Sequence, residues 1–384
     1  MITDSFEILI VVFGVIATAL FLVSRFRIAA RISPVLWILF LSALLGNIGV
    51  IPTKNSLYHI LSDYAVPFAV CQILLHVHLA TIKKTGLPML TAFAIAGLGS
   101  LLGCIVAGMV LCGSLNDLLA GEGWKLAGPY IGTYIGGSLN FLSMWKAMEI
   151  HDPNVFAAAN AVDNLALIPI FMFWVLTAQW FTRWYPKTQV ELSVGSEQAE
   201  KSPTRLKLND LVFLILIALA IMAASGLVKE QILAKWMPKI DIPEILIVTT
   251  LALLAGQCKV VRNLQGAKEL GDFAFYVFFA AIGAMMDIGK AIDLAPILFL
   301  YVGIIVATQV VFVLLVGKVF RIDFRMLAVA SIAAKAGPTT VVAYTNTKNW
   351  NELAVPGVAA AVLGYVVGNY VAWGGAYVLK AIVG

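Results

Sequence analysis

Long apolar runs and short polar loops alternate along the whole chain. The runs are of the length a helix needs to span the roughly 30 Å hydrocarbon core of a bilayer. They cover residues 6–23, 34–51, 63–80, 88–112, 129–148, 153–181, 208–226, 243–257, 271–288, 295–318, 324–346 and 353–380. The pattern predicts an all-α polytopic membrane protein with about twelve transmembrane helices.

One polar stretch, residues 182–207, divides this pattern into two halves. Its charged residues are Arg183, Lys187, Glu191, Glu197, Glu200, Lys201 and Arg205. We therefore predict a first repeat over residues 1–181, a polar linker over 182–207 and a second repeat over 208–384.

The two halves match each other at two steady offsets. Apolar sequences match easily by chance, but coincidences of proline, aspartate and glycine are harder to obtain. The matched pairs are Pro34 with Pro243 and Asp63 with Asp272 at an offset of 209 residues, and Gly137 with Gly337 and Val155 with Val355 at 200 residues. The offsets predict an internal duplication.

Basic loop residues indicate that the two copies are inverted. In the first half they follow the first and third apolar runs, whereas in the second half they follow the eighth and tenth. By the positive-inside rule, equivalent loops of the two copies then lie on opposite sides of the membrane. Inversion needs an even number of crossings between the sixth and eighth runs, and the sequence offers one, at 208–226. Either that segment does not cross simply, or one of the twelve spans is wrong.

Composition agrees with this fold class and excludes some functions. The 384 residues are 61% hydrophobic and 12% charged, with a mean hydropathy of +0.94, whereas a soluble domain has about 25% charged residues. The net charge of +5 comes from Lys and Arg between apolar runs, so we expect a lipid bilayer and no nucleic acid as partner. The four cysteines have no metal-ligand spacing.

Two short polar segments interrupt the apolar runs, one in each half. Residues 136–140 read Gly-Gly-Ser-Leu-Asn, and residues 336–340 read Ala-Gly-Pro-Thr-Thr. In a bilayer, an interrupted backbone survives only where it faces protein or a water-filled cavity. A single break is more typical of a packing kink, but a matched pair indicates the substrate site of a secondary transporter. The predicted site residues in the breaks are Gly136, Gly137, Ser138, Asn140, Gly337, Thr339 and Thr340.

Two charges lie beside the breaks. Asp163 is in the middle of the run 153–181, on one helical face with Asn160 and Asn164, and Lys335 precedes the second break. Because a charge near the bilayer centre costs at least ~3 kcal/mol, each should face protein or water. We expect Asp163 to bind the coupling cation or proton, with Asn160, Asn164 and Asn140 completing a polar patch. Lys335 would balance Asp163 in the empty site or attract an anionic substrate; the alternative is a purely structural Asp–Lys pair.

Several stretches together resemble a known family. The residues 132–140, the alanine-rich run that ends at Asp163-Asn164, and the C-terminal residues 355–369 resemble the YjcL-like bacterial membrane family, which carries a domain-of-unknown-function label. More distantly, the chain is similar to bile acid:sodium symporters and sodium/proton antiporters. The similarity lies in the order of three elements: a helix, a broken helix with the pattern Gly-Gly-x-x-Asn, and a helix rich in small residues.

The distant resemblance implies an architecture and a set of ligands. Two broken helices, at 129–148 and 324–346, would cross in a core built from runs four to six and ten to twelve. This core would move against a panel formed by runs two, three, eight and nine, through which a homodimer is implied. Sodium ligands carry over onto Ser138 and Asn140, with Asp163 completing a sodium site. In the second break the symporters have acidic or amide residues, whereas this chain has Lys335, Thr339 and Thr340.

The leading hypothesis is a secondary active transporter of the bacterial cytoplasmic (inner) membrane. It would move a small solute, an organic anion being favoured by Lys335, by alternating access coupled to sodium or protons, with no other cofactor. The alternative is a channel or an export-regulating membrane protein of the same architecture without coupled transport. An enzyme is not expected, because only Asp163 and Lys335 qualify as titratable groups beside the breaks.

Overall fold

The structure, a computed structural model, describes residues 4–27, 29–31, 33–186, 206–233, 235 and 241–383. Most of the predicted linker, residues 187–205, therefore lies outside the described residues. The described part of the chain is helical and contains no strand. Its main helices are α1 (Ser5–Arg25), α2 (Pro34–Asn47), α3 (Ser56–Leu75), α4 (Leu87–Val110), α5 (Ala127–Gly136), α6 (Ser138–Ala147), α7 (Pro153–Phe181), α8 (Leu208–Leu227), α9 (Glu244–Gly256), α10 (Ala267–Met285), α11 (Ile288–Val319), α12 (Phe324–Lys348) and α13 (Ala354–Val383).

The helix N-termini follow from local sequence. Asp4, Ser33, Asn55 and Asp152 each accept a backbone N–H of the first helical turn through the side chain. Such caps satisfy N–H groups that have no partner within the helix. Proline follows two of these caps directly, where its missing N–H costs nothing.

Each predicted apolar run coincides for most of its length with one helix, except that residues 129–148 form two, α5 and α6, and that α3 ends at Leu75 within the run 63–80. Eight of the described helices are long and apolar enough to cross a membrane by length and composition, and α2 and α9 are apolar but shorter. The chain is therefore a membrane protein with multiple apolar helices. The expected number of about twelve crossings is not confirmed, because two segments of sufficient length fold back on themselves.

The first of these segments is hairpin 1, formed by α5 and α6. Gly137 joins the two helices with φ 74° and ψ −174°. A β-carbon on Gly132 would lie 2.9 Å from the Asn140 carbonyl oxygen, and one on Gly128 would lie 2.7 Å from Cγ of Met148. A continuous helix would separate residues 128 and 148 by about 30 Å. The two helices therefore run antiparallel, and hairpin 1 returns to the side from which it starts.

The second segment is hairpin 2, formed by α12. Its backbone is non-helical at Gly337, with φ 73° and ψ −178°. Arg325, at its start, donates through Nη1 to Oε1 of Glu352, just beyond its end, at 2.8 Å. A straight helix of 25 residues would be about 37 Å long. Residues 324–336 and 338–348 therefore form two arms that fold back, so the breaks lie where predicted but neither broken helix continues across.

Helix contacts separate the chain into two groups. The first group comprises α1, α2, α3, α8, α9 and α10, in which α3 and α2 pack on α10 and α3 packs on α9. The second group comprises α4, α7, α11, α13 and the two hairpins, in which α4 packs on α11 and α13 packs on both α5 and α12. We call these groups the panel and the core. The core contains the helices predicted for it, and the panel also includes α1 and α8.

The fold-back of hairpin 2 predicts a specific cross-link. With the native cysteines replaced, Arg325→Cys and Glu352→Cys should form a disulfide in membranes under mild oxidation, detected as a mobility shift on a gel. Ile292→Cys and Val319→Cys, separated by the same 27 residues on the continuous helix α11, form the control pair. Equal cross-linking of both pairs, or of neither, would contradict the hairpin.

Candidate functional site

The tips of the two hairpins meet inside the core. A β-carbon on Gly137 would lie 3.8 Å from the carbonyl oxygen of Lys335 and 4.0 Å from the nitrogen of Gly337. Tyr365, on α13, touches both tips. A β-carbon on Gly137 would lie 3.7 Å from the Tyr365 ring carbon Cε1, and one on Gly337 would lie 2.8 Å from the Tyr365 hydroxyl oxygen. The two breaks therefore form one junction, with Tyr365 beside it.

Small residues allow hairpin 1 to approach α13 backbone to backbone. A β-carbon on Gly136 would lie 2.4 Å from the Gly364 carbonyl oxygen, and one on Gly364 would lie 2.2 Å from the Ile135 carbonyl oxygen. The fully buried Asn140 donates through Nδ2 to the same Gly364 oxygen at 3.0 Å. Hydrogen bonds and close backbone approach replace the hydrophobic effect as the source of helix association in lipid. Asn140 therefore holds hairpin 1 against α13.

Asp163 lies on α7 and is 1% exposed. Its Oδ2 accepts a hydrogen bond from the Thr133 hydroxyl of α5 at 3.1 Å. Its Oδ1 has no hydrogen-bond partner among the described residues, and neither has the buried hydroxyl of Tyr134, which faces the carboxyl group. A carboxylate buried with half of its accepting capacity unused is costly. This geometry leaves Oδ1 available to a proton or a cation.

Lys335 lies on hairpin 2, two residues before the hinge Gly337, and is 2% exposed. Its ammonium donates to Oε1 of Gln309 on α11 and lies 5.4 Å from the ring centroid of Tyr134. No carboxylate of the described residues lies within 4.0 Å of it. Asp163 and Lys335 therefore both lie close to Tyr134 but do not form the ion pair considered from the sequence.

The remaining predicted residues lie around these centres. Asn164, on the turn after Asn160, donates through Nδ2 to the backbone carbonyl oxygen of Asn160 at 2.8 Å and to its side-chain Oδ1 at 3.3 Å, so both contacts lie within α7. Thr340 donates to the Ala336 carbonyl oxygen at 3.0 Å. Ser138, directly after Gly137, and Thr339, two residues after Gly337, are exposed.

The structure does not bring all three predicted sodium ligands together. Asn140 packs against the face of α5 that carries Gly132 and Gly136. Asp163 bonds to Thr133, which lies on a different face of α5. Among the described residues, no hydrogen bond joins Ser138 or Asn140 to Asp163, so a sodium site formed by these three residues stays a prediction.

Sequence reasoning missed four residues of the site: Thr133, Tyr134, Gln309 and Tyr365. Gln309 is a lone amide in the apolar run 295–318, which could have marked it. Thr133 and Tyr134 lie in the glycine-rich stretch before the first break, but only the fold places them against Asp163 and Lys335. Tyr365 has no distinguishing signal on an apolar helix.

A cleft of about 1020 Å³ separates the panel from hairpin 1. It is lined by both groups, including Val248 and Phe278 of the panel and Leu142 of the core. At its rim, Lys146 of α6 forms an ion pair with Asp63 of α3. The cleft therefore leads from one end of the bundle towards hairpin 1.

The fold and this site define a multi-helical integral membrane protein with two hairpins whose tips meet near buried charges. The chain belongs to the family described as "Protein of unknown function (DUF819)", which matches residues 10–382. It is similar to a protein of Bacillus subtilis (strain 168) described as "Uncharacterized membrane protein YjcL". The two are 30% identical over 370 residues, which cover 92% of each chain. The family resemblance inferred from residues 132–140, the run ending at Asp163-Asn164 and residues 355–369 is thus confirmed.

The backbone conformation of the hinge glycines predicts a loss of stability on substitution that does not arise from side-chain packing. Gly137→Ala should destabilise the purified protein by roughly 1–3 kcal/mol, because its φ and ψ are accessible essentially to glycine alone. A β-carbon there would have ordinary contact distances, so the loss comes from the backbone. The measurement is the thermal unfolding midpoint in detergent.

Gly303→Ala on α11 is the matched control, since nothing lies within 4 Å of its β-carbon position. Alanine at an interior helical position should leave the midpoint unchanged or raise it, by up to about 1 kcal/mol. Equal midpoints for the two variants would show that the hinge carries no strain.

Proposed function

We propose that this protein is a secondary active transporter that moves a small solute by alternating access. The observation that carries the proposal is the junction of the two hairpin tips beside Asp163 and Lys335. Irregular backbone at membrane depth is tolerated where it lines a solute path. Substrate and ion sites of secondary transporters lie between discontinuous helices near the midplane. Buried ionisable groups in such a place are functional by default.

An inverted duplication is part of this proposal. It is supported by the hinge glycines, whose φ and ψ agree within a few degrees at positions 200 residues apart. Helix contacts between the two copies also occur in equivalent pairs. The contact of α2 with α10 corresponds to that of α9 with α3, and the contact of α5 with α13 corresponds to that of α12 with α7. This equivalence is what a two-fold relation between the halves requires.

The hairpins also change the number of membrane crossings, which in the sequence did not agree with an inverted repeat. If hairpin 1 returns to its starting side, the first half crosses five times, through α1, α2, α3, α4 and α7. An odd number of crossings makes the second half begin on the opposite side. The two hairpins then enter from opposite sides, and their tips meet near the middle.

Basic residues support one orientation. The C-terminal ends of α3 and α9 lie together, because Gln257 donates through Nε2 to the carbonyl oxygen of Val77. The end of hairpin 2 lies against α7, because Lys348 donates through Nζ to the carbonyl oxygen of Val175. The predicted basic clusters lie at this end of the bundle, which we assign to the cytoplasm. The cleft beside hairpin 1 then opens to the outside of a bacterial inner membrane.

Asp163 would bind the coupling ion, a proton or sodium, through the unpartnered Oδ1. Lys335 would contribute the attraction for an anionic solute. The exposed ion pair Lys146–Asp63, with side chains 38% and 60% exposed, is worth at most about 1 kcal/mol. It can therefore break and reform as the core moves against the panel. A homodimer through the panel stays a prediction.

Gradient-driven uptake tests the role of Asp163. Proteoliposomes would be screened by solid-supported-membrane currents with mono- and dicarboxylates and amino acids, under a sodium or a pH gradient. Any solute found would then be used in accumulation and counterflow assays. Asp163→Asn should abolish accumulation, because the amide cannot exchange a proton or neutralise a cation. Asp293→Asn, which removes an exposed carboxylate of α11, should leave it unchanged.

Two outcomes would contradict the proposal. Unchanged accumulation by Asp163→Asn would remove Asp163 from coupling. Flux without counterflow would favour a channel, since a carrier exchanges labelled for unlabelled solute and a pore does not.

Movement between core and panel predicts a second result. Asp63→Cys with Lys146→Cys, in a chain without native cysteines, should cross-link and stop transport, and reduction should restore it. The control pair is Glu122→Cys with Lys125→Cys, whose native side chains bridge within one segment at 2.7 Å. Its cross-link should not affect transport. Full transport with the first pair cross-linked would mean that α6 and α3 do not separate during the cycle.

A further inference from the structure

A second cavity, of about 270 Å³, lies between α7 and hairpin 2, away from the cleft. Its volume is close to the lower end of the range for small-molecule sites, ~300 Å³. Most of its wall is apolar, and Lys335 and Thr340 are its polar members. Its lining residues are Leu167, Ile168, Ile170, Phe171, Met172, Ile332, Lys335, Ala336 and Thr340.

Lys335 forms no ion pair within 4.0 Å among the described residues. Its ammonium is bonded to the neutral amide oxygen of Gln309 and faces the ring of Tyr134. Across the described ranges, the ion pairs formed by lysine involve other lysines, namely Lys125, Lys146 and Lys229. Buried ammonium groups are normally paired or bonded to charged acceptors. An anionic ligand beside the cavity would supply the missing partner.

The mouth of the cavity faces the surface of the core. Ile168 is 63% exposed and Met172 is 45% exposed. They continue a stripe along α7 that also contains the exposed Leu165 and Leu176. An exposed apolar stripe on a membrane-spanning helix faces lipid. A ligand can therefore enter this cavity from the bilayer, which requires that it carry an apolar body.

We propose that this cavity binds an amphipathic monocarboxylate, a linear or branched alkanoate, with its carboxylate on Lys335 and its hydrocarbon body between α7 and hairpin 2. The Thr340 hydroxyl would offer a second polar contact. The proposal rests on the proposed function, since it names the class of solute that the transporter would take. It places the hydrocarbon on the lipid side of hairpin 2 rather than in the cleft beside hairpin 1.

Binding to the full-length protein in lipid nanodiscs tests this assignment without any transport assay. Hexanoate is the probe, and hexanamide and acetate are the matched comparisons, with affinity measured by isothermal titration calorimetry. Hexanoate should bind at least about tenfold more tightly than either, because only hexanoate has both the charge and the chain. Equal binding of hexanamide would overturn the role assigned to the carboxylate.

Variants locate the binding. Lys335→Gln should weaken hexanoate binding at least about tenfold, since it removes the ammonium. Lys348→Gln should not weaken it. Lys348 lies on the same hairpin, but its ammonium is bonded to the Val175 carbonyl oxygen. If Lys335→Gln fails to fold, Leu167→Trp provides a second test. It fills the apolar wall without changing a charge and should also weaken binding. Tight hexanoate binding by Leu167→Trp would exclude this cavity.

The outcome is separable from that of the proposed function. Hexanoate binding that depends on Lys335, without accumulation in proteoliposomes, would refute transport and keep the binding site. A different solute could instead be accumulated under an ion gradient, with no inhibition by hexanoate and no accumulation of hexanoate itself. That result would support the transporter and refute the alkanoate site.

Discussion

The backbone conformation of two glycines is the constraint on which the arrangement depends. Gly137 and Gly337 combine a φ near +74° with a ψ near 180°, a region that residues with a β-carbon essentially do not populate. Each hinge reverses a helix within one residue, so each segment enters and leaves the core on the same side. Because the reversal leaves backbone groups without helical partners at membrane depth, the tips must meet protein. They meet each other and Tyr365.

The close approach at the tips determines how polar groups are distributed around them. Glycines at 136, 364 and 368 bring α5, α6 and α13 so close that Asn140 fills the remaining space and bonds to the Gly364 carbonyl oxygen. On this face of hairpin 1, the Oδ1 atom of Asn140 is still buried without a hydrogen-bond partner among the described residues. Near Thr133, the same holds for Oδ1 of Asp163 and for the hydroxyl of Tyr134. Buried polar atoms without partners therefore lie on both arms of hairpin 1 and on α7.

Helix positions could be predicted closely because a bilayer demands long apolar runs, and each predicted run corresponds to helix. The breaks at Gly137 and Gly337 could also be found, since glycine and proline interrupt an apolar pattern visibly. The path of the chain after each break could not. Residues 129–148 are compatible with a kinked helix that continues and with a hairpin, since both place ten helical residues on either side of a glycine. Contacts such as that between Arg325 and Glu352 distinguish them.

The charges show the same division. The positions of Asp163 and Lys335 inside apolar runs could be identified from residue order alone, because the cost of burying a charge makes such residues conspicuous. Their relation to each other depends on distances between helices far apart in the chain. Packing brings Tyr134 close to both charges, so that the carboxylate bonds to Thr133 and the ammonium bonds to Gln309. Residue order therefore determined where the helices, the breaks and the charges lie. The packing of helices determined that the breaks are hairpin tips and that the two charges remain unpaired, because hydrogen-bond partners are chosen by proximity in space.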